Sequence, residues 1–167
     1  MLIIYTISLM LIQNYCDAFN ILDVIHIPEI KLIYPGTKWC GAGNISKDKY
    51  DLGSDLPTDI CCRAHDMCDD VIEAGQSKHG LLNQSPFTRL HCNCDQKFYR
   101  CLKNITVGSA QIIGDIYFDI LGSPCYKKQY PVLKCINHDS IYKNRCIEYK
   151  FNVSSTKSWT WFDVPHF

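Results

Sequence analysis

The sequence predicts a disulfide-rich fold that is mainly α with a small β component, built around two long antiparallel helices cross-linked by disulfides. The chain of 167 residues contains 11 cysteines, far more than a protein of this size carries by chance. Two stretches, Ile60 to Ala74 and Phe87 to Asn104, contain neither Gly nor Pro, as expected of helices. Cysteines recur seven residues apart in each stretch, which places them on one face of each helix.

The other elements are predicted in chain order. The stretch before about Pro57 is rich in Gly, Pro and Asn and is expected to be loop. Thr58-Asp59 supplies an N-cap for the first helix, and Gly75 supplies its stop. The turn-rich connection from Ser77 to Pro86 predicts a small hairpin. Near the end, an alternating set of aromatic residues predicts a terminal strand packed on the domain: Trp159, Trp161 and Phe162.

The first residues predict a secretion signal. Residues 1–15 form an almost unbroken apolar run, and Cys16 and Ala18 follow with the spacing of a signal-peptidase site. The alternative is a membrane anchor, but the run is shorter than the ~20 apolar residues that span a bilayer. We therefore interpret residues 1–18 as a signal peptide.

Residues 19–31 lack cysteine and end at a single basic residue. They are either a pro-segment removed after Lys31 or a flexible lead-in to the predicted domain, residues 32–167. That domain holds 16 basic and 14 acidic side chains. So small an excess of basic over acidic side chains excludes a nucleic-acid binder that depends on bulk charge. An apolar content of 47% excludes a disordered chain.

Cysteines and glycosylation sequons together indicate an extracellular, secreted protein. Without Cys16, ten cysteines remain, enough for five disulfides in an oxidising compartment. The sequence has four Asn-x-Ser/Thr sequons, and Pro86 makes the one at Asn83 a poor acceptor. Glycosylation is predicted at the other three: Asn44, Asn104 and Asn152.

Cysteine spacing also predicts how the helices pair. In two antiparallel helices the numbers of facing residues have a nearly constant sum, and Cys61 with Cys101 has the same sum as Cys68 with Cys94. These two bridges follow from geometry. Cys62 lies about 100° round the helix from Cys61 and must reach another element. The remaining expected bridges are Cys40 with Cys62, Cys92 with Cys125, and Cys135 with Cys146, which closes a C-terminal hairpin.

The same pairing places an imidazole opposite a carboxylate. The helix position facing His65 is residue 97, only two residues from Asp95. A histidine oriented by a carboxylate is the arrangement used for general base catalysis. No serine lies on the expected inner faces, and the cysteines are assigned to bridges, so water is the expected nucleophile.

Asp66 follows the histidine, and the proposed Cys40 bridge brings a glycine loop to the same helix. Calcium binds six to eight oxygens, and glycines let several backbone carbonyls converge. The predicted calcium ligands are the carbonyls of Trp39, Gly41 and Gly43 and the carboxylate of Asp66. Taken alone, the glycine loop could be only a turn, and His65-Asp66 could be only an exposed pair on the helix surface. Zinc is disfavoured because disulfides consume the thiolates.

These motifs resemble the secreted phospholipases A2 of the bee-venom (group III) type. The resemblance rests on Trp39-Cys40-Gly41-x-Gly43, on Cys61-Cys62-Arg63-x-His65-Asp66-Met67-Cys68 and on Cys94-Asp95. It extends over essentially all of residues 32–167. It implies calcium-dependent hydrolysis of the sn-2 ester of a glycerophospholipid to a free fatty acid and a lysophospholipid.

The resemblance also implies roles for residues. His65 activates water, Asp95 orients His65, and Tyr117 supports Asp95. Trp39, Gly41, Gly43 and Asp66 correspond to the calcium ligands, and the family's disulfide pairing agrees with the constant-sum argument.

Such an enzyme works as a peripheral protein on a phospholipid membrane surface, as an expected monomer, with a cell-surface receptor as a further partner. Candidates for an apolar rim are Ile33, Tyr34 and Ile112-Ile113, and candidates for headgroup contacts are Lys38, Lys47 and Arg89, with core or solvated surface as the alternative. A second hypothesis is a phospholipase-like ligand without turnover. The intact set of His65, Asp66 and Asp95 argues against it. A third, a cysteine-rich inhibitor, lacks a recognisable reactive loop.

Overall fold

The computed structural model describes residues 32–167; the predicted signal peptide (1–18) and pro-segment (19–31) lie outside them. Three α-helices, one π-helix and eight strands are present in this part of the chain. In order they are α1 (Leu56–Asp66), β1 (Val71–Ile72), β2 (Ser77–Lys78), β3 (Leu81–Leu82), β4 (Arg89–Leu90), α2 (Cys92–Lys103), α3 (Gly108–Gly114), the π-helix (Asp115–Leu121), β5 (Cys125–Gln129), β6 (Val132–His138), β7 (Cys146–Phe151) and β8 (Ser158–Phe162).

Helix α1 begins earlier and ends earlier than predicted. Pro57 lies in its first turn, where the missing N–H costs nothing, and Asp55 takes the N-cap position without a side-chain hydrogen bond. Thr58 and Asp59 are therefore not caps but buried residues of the first turn. The helix ends at Asp66, so the predicted stop at Gly75 is wrong.

The residues after α1 pair as strand instead of continuing the helix. The β-branched pair Val71–Ile72 forms β1 and pairs antiparallel with Arg89–Leu90. For the same reason α2 begins five residues later than predicted, at Cys92. His91 caps it, because its Nδ1 accepts a hydrogen bond from the backbone N–H of Asn93 at 3.1 Å.

The strands form four separate two-stranded antiparallel sheets. The predicted hairpin is confirmed as β2 and β3, with Ser77 opposite Leu82. The predicted terminal strand is confirmed as β8, which pairs with β5 from Cys125 opposite Phe162 to Gln129 opposite Ser158. The predicted C-terminal hairpin is β6 and β7. The two cross-linked helices span 11 and 12 residues, and strands occupy nearly as much of the described chain as helices, so the helical share is smaller than predicted.

Five disulfides hold these short elements together, in the predicted pairing. Cys61–Cys101 and Cys68–Cys94 connect α1 and the residues after it to α2, in the order that an antiparallel arrangement requires. The other three are Cys40–Cys62, Cys92–Cys125 and Cys135–Cys146. Three of the bridges, Cys40–Cys62, Cys61–Cys101 and Cys92–Cys125, lie in or against a core of aromatic and aliphatic side chains that includes Trp39, Phe98, Leu102, Phe118, Phe162 and Phe167.

No helix among residues 32–167 has the length and apolar content needed to cross a bilayer.

The sequons differ in their surroundings. Asn83 is buried, and its side-chain amide donates to the carbonyls of Ile72 and Phe87, which agrees with the expectation that it is a poor acceptor. Asn104 is exposed, and Asn44 and Asn152 are half-buried, so glycosylation at these three stays a prediction.

Candidate active site

The buried pair His65 and Asp95 connects the two helices. His65 Nε2 lies 2.8 Å from Asp95 Oδ1, and the residues are 8% and 3% exposed. His65 is in the last turn of α1 and Asp95 in the first turn of α2. The Cys61–Cys101 and Cys68–Cys94 bridges lie on either side of this pair and hold the two segments together there.

This hydrogen bond decides which ring nitrogen can act as a base. With Asp95 ionised, His65 Nε2 carries the proton and donates it, so Nδ1 keeps its lone pair. Within the described chain no hydrogen bond reaches His65 Nδ1, and no serine, threonine or cysteine side chain bonds to the ring. The arrangement can therefore deprotonate a small molecule such as water.

Tyr117, in the π-helix, supports the same carboxylate. Its hydroxyl donates to Asp95 Oδ1 at 2.8 Å. Burial, with the charge of Asp95, holds the pKa of the Tyr117 hydroxyl well above its ordinary value, so it remains a donor. The structure thus brings together the three residues His65, Asp95 and Tyr117.

The position of Tyr117 depends on a residue from the C-terminal hairpin that the sequence did not single out. Arg145 donates from its two terminal nitrogens to the carbonyls of Phe118 and Asp119, both at 2.6 Å. At Gly122, where φ is +50°, a Cβ would lie 2.1 Å from the guanidinium. The glycine therefore leaves the space that lets Arg145 hold the end of the π-helix.

Phe98 fixes the plane of the imidazole and was also missed. Its ring stacks on His65 with centroids 4.3 Å apart, while Tyr117 meets the imidazole edge-on at 4.8 Å. Phe98 follows Asp95 by three residues and so shares its helix face. That spacing is the signal from which the contact could have been predicted.

Asp59 anchors the glycine loop to α1 and is the main functional residue that the sequence interpretation missed. Its Oδ1 accepts the backbone N–H groups of Lys38 and Trp39 at 2.9 and 2.8 Å, and its Oδ2 accepts that of Gly53 at 2.7 Å. The Cys40–Cys62 bridge joins the same loop to the helix. The loop is thus held at α1 by Asp59, two turns before Asp66, and by Cys62, one turn before it.

Replacing Asp59 with Asn is expected to destabilise the protein. An amide group cannot accept on both of its polar atoms, so the N–H of Gly53 would face a second donor. We expect the free energy of unfolding to fall by about 2 kcal/mol, the scale of a lost hydrogen bond to a charged group. Urea unfolding of Asp59→Asn measures this. Asp55→Asn is the matched control because Asp55 makes no side-chain cap bond, and an equal loss in both variants would contradict the anchoring role.

The glycine loop suits a hard cation that binds oxygen. The carbonyls of Lys38 and Cys40 accept backbone hydrogen bonds, whereas the alternate carbonyls of Trp39, Gly41 and Gly43 accept none from the residues that the structure describes. A Cβ at Gly41 would lie 1.9 Å from the carbonyl oxygen of Leu32, so only glycine fits there. Three backbone oxygens are therefore left without a donor from residues 32–167.

Asp66 adds a carboxylate that forms no salt bridge with any residue in the described part of the chain. More than a third of its surface is open to solvent, yet the surrounding protein raises the pKa of its carboxyl group to about 7; burial is the main cause and His65 opposes it. Residues 32–167 contain no cluster of three or more His, Cys, Asp or Glu that could hold a metal ion. A cation here would take most of its ligands from the backbone, which is the chemistry calcium accepts.

The candidate rim residues are divided between surface and core. Ile112 is 45% exposed, whereas Ile113 is buried in the core, so it cannot contact lipid. Lys38 forms an ion pair with Asp51 instead of being free for a headgroup. Ile33 and Tyr34 are half-buried.

Comparison with known proteins agrees with this geometry. A family model described as phospholipase A2 matches residues 33–129. A phospholipase A2 of Apis dorsata is 48% identical over 134 residues, which cover 80% of this chain and 98% of that protein. A phospholipase A2 of Apis mellifera is 47% identical over 137 residues, which cover 81% of this chain and 80% of that protein. One of Xylocopa appendiculata circumvolans is also 47% identical over 137 residues, which cover 82% of this chain and 74% of that protein. The chain therefore belongs to the phospholipase A2 family.

Proposed function

We propose that the protein is a calcium-dependent phospholipase A2 that hydrolyses the sn-2 acyl ester of glycerophospholipids. The products are a free fatty acid and a lysophospholipid. The observation that carries the proposal is the buried His65–Asp95 pair, with His65 Nδ1 free of partners among residues 32–167, in a chain whose relatives are named phospholipase A2.

In the proposed reaction a water molecule attacks the carbonyl carbon of the ester. His65 Nδ1 takes a proton from the water, and Asp95 stabilises the imidazolium through Nε2–H. When the intermediate collapses, the bond to the glycerol oxygen breaks and the imidazolium returns the proton to that oxygen. Tyr117 keeps Asp95 in place throughout.

The carbonyls of Trp39, Gly41 and Gly43 and the carboxylate of Asp66 are the proposed ligands of calcium. When bound, calcium supplies positive charge that stabilises the oxyanion formed from the ester carbonyl. The anchoring of the loop by Asp59 supports this assignment, since it prevents the loop from moving away from Asp66.

Hydrolysis of phosphatidylcholine vesicles tests the proposed function. With calcium present we expect stoichiometric release of fatty acid and lysophosphatidylcholine, identified by mass spectrometry. A substrate with different acyl chains at the two positions shows which ester is cleaved. Release of the sn-1 chain, or no release at all, would overturn the proposal.

We also propose that the protein acts outside the cell at a membrane surface. An exposed apolar stripe supports docking: Ile112, Ile116 and Ile120 recur every four residues and are 45%, 41% and 75% exposed. Leu56 and Ile60 of α1 are exposed as well, and the hydrogen bond between Thr58 and Ser109 joins α1 to α3. Five disulfides support an extracellular location.

Arg89 is a proposed contact for the phosphate of the substrate. Its Nη1 is buried and has no hydrogen-bond partner within residues 32–167. Burial lowers the pKa of the guanidinium, while Tyr117 and Asp95 oppose that shift, so Arg89 lies within electrostatic reach of the catalytic pair. A buried guanidinium nitrogen that no described residue satisfies is suited to an anionic group.

The double variant Ile112→Asp/Ile120→Asp is expected to weaken binding to phosphatidylcholine vesicles by more than about tenfold. Burying one isoleucine side chain contributes about 1.5–3 kcal/mol, and two carboxylates oppose insertion. Sedimentation with sucrose-loaded vesicles measures the partition. Hydrolysis of a monomeric short-chain substrate should be unchanged. Ile141→Asp, at a residue 60% exposed between β6 and β7, is the control; an equal effect there would argue against the stripe.

A further inference from the structure

Two adjacent residues that follow β8, His166 and Phe167, contact the helix that carries Tyr117. His166 Nδ1 donates a hydrogen bond to Asp119 Oδ1 at 2.6 Å, and the backbone N–H of Phe167 donates to the same oxygen at 3.1 Å. Asp119 is only 8% exposed and lies two residues after Tyr117 in the π-helix. Its carboxylate therefore fastens the π-helix to His166 and Phe167.

The Phe167 ring contacts the same helix on the other side of Tyr117. Gly114, three residues before Tyr117, lies where α3 meets the π-helix. A Cβ on Gly114 would lie 2.1–2.4 Å from three atoms of the Phe167 ring, so the ring lies directly against the backbone there. The ring is also parallel to that of Phe118, with centroids 5.7 Å apart. Tyr117 thus lies between two contacts made by adjacent residues.

Helix α2 contacts His166 and Phe167 as well. The hydroxyl of Tyr99 donates to the carbonyl of His166 at 3.1 Å, and its ring meets the Phe167 ring edge-on at 5.2 Å. Asp95, which accepts the hydrogen bond from Tyr117, lies in the first turn of the same helix. The two partners of that hydrogen bond therefore belong to elements that His166 and Phe167 join.

Arg145 also lies near the carboxylate of Asp119, but it does not replace His166. Its Nη1 is 3.8 Å from Asp119 Oδ1, which is too long for a hydrogen bond, and its bonds of 2.6 Å go to backbone carbonyls. Among residues 32–167, His166 is the only side chain that donates a hydrogen bond to Asp119. The His166 side chain is 35% exposed, so truncating it leaves no closed cavity in the core.

We propose that His166 and Phe167 are positioning residues of the reaction: they hold the π-helix where the Tyr117 hydroxyl meets Asp95. They act through Tyr117, because their contacts are with the helix on both sides of it. Hydrogen bonds weaken steeply with misalignment, so a small shift of the helix would weaken the 2.8 Å bond to Asp95. The role rests on the proposed function, in which Asp95 orients the catalytic base.

Kinetics with a monomeric short-chain phosphatidylcholine and calcium test the proposal, because this substrate requires no docking to a vesicle. We expect His166→Ala to lower kcat about tenfold with little change in KM, the scale of one lost hydrogen bond. His166→Asn, whose amide can still donate to Asp119, should restore most of the rate. Tyr126→Phe is the matched control, since it removes a 2.7 Å hydrogen bond to Asp70 in another part of the fold, and it should keep kcat.

A double-mutant cycle separates positioning from a general loss of stability. If His166 acts through Tyr117, His166→Ala should add little to the loss of kcat in Tyr117→Phe, whereas independent effects would multiply. Gly114→Ala reaches the same contact from the helix side and serves even if His166→Ala does not fold. Gly114 has a helical φ of −61° and alanine favours a helix, so a lower kcat would follow from displacement of the Phe167 ring.

The hydrogen bond between His65 and Asp95 gives a second readout, which needs no turnover. In protein with 15N-labelled histidine, the Nε2–H proton of His65 is identified by its absence in His65→Gln, and its chemical shift reports the state of Asp95. The resonance should move in the same direction in Tyr117→Phe and in His166→Ala, with no further change in the double variant. It should stay in place in Tyr126→Phe.

The outcomes distinguish this proposal from the proposed function. Full kcat or an unchanged resonance in His166→Ala, full kcat in Gly114→Ala, an equal loss in Tyr126→Phe, or independent effects in the cycle with Tyr117→Phe would overturn the positioning role. The expected resonance shifts in a wild-type protein that releases no fatty acid would instead overturn the proposed function alone.

Discussion

Replacing His65 with Gln is expected to lower kcat for phosphatidylcholine vesicles by about 10³-fold or more. Glutamine fits the space and can still donate to Asp95, but its side chain has no basic nitrogen to take a proton from water. General base catalysis contributes about 10²–10⁴-fold to a rate. The loss of kcat should therefore come with little change in KM and little change in thermal stability.

The measurement is initial-rate fatty-acid release from vesicles, with circular dichroism to show that the fold is retained. His138→Gln is the control, because His138 is exposed on β6. If His65→Gln kept activity within tenfold of the parent protein, water activation by His65 would be ruled out.

Removing calcium with EGTA is expected to abolish hydrolysis, and Asp66→Asn is expected to raise the calcium concentration needed for half-maximal activity by about 100-fold or more. The substitution removes the negative charge and one oxygen ligand from a site otherwise made of neutral carbonyls, and ligand charge is a main determinant of calcium affinity. The oxygens of Trp39, Gly41 and Gly43 would remain.

A second readout does not depend on activity. Saturating calcium should raise the thermal midpoint of the parent protein, because a ligand that binds only the folded state stabilises it. This shift should be lost in Asp66→Asn and kept in Asp69→Asn, the matched control at an exposed carboxylate three residues along. An unchanged calcium response in Asp66→Asn would remove Asp66 from the proposed ligand set.

The contents of the site could be predicted because chemistry and spacing were both visible in the chain. Cysteines seven residues apart in each of two segments indicated which positions face each other, and that alone placed His65 near Asp95. The pairing of Cys61 with Cys101 and of Cys68 with Cys94 required no knowledge of the rest of the fold, since a single antiparallel register satisfies both pairs.

The ends of the helices could not be predicted in the same way. The absence of Gly and Pro permits a helix but does not require one, and Val71–Ile72 gains more from pairing with Arg89–Leu90 than from extending α1. Likewise, Asp59 looks like an N-cap residue in the sequence. Asp59 anchors the loop only because the fold brings the backbone N–H groups of Lys38 and Gly53 to its carboxylate.

By itself, the sequence determined the disulfide framework, the resemblance to phospholipases A2 and the identity of His65, Asp95, Asp66 and the glycine loop as candidates, because these depend on residue types at short, regular spacings. Only the tertiary structure decided how they are held: Arg145 supports the π-helix behind Tyr117, and Asp59 anchors the glycine loop to α1. Those contacts join residues distant in the chain, and their energies depend on burial and distance, which no local pattern encodes.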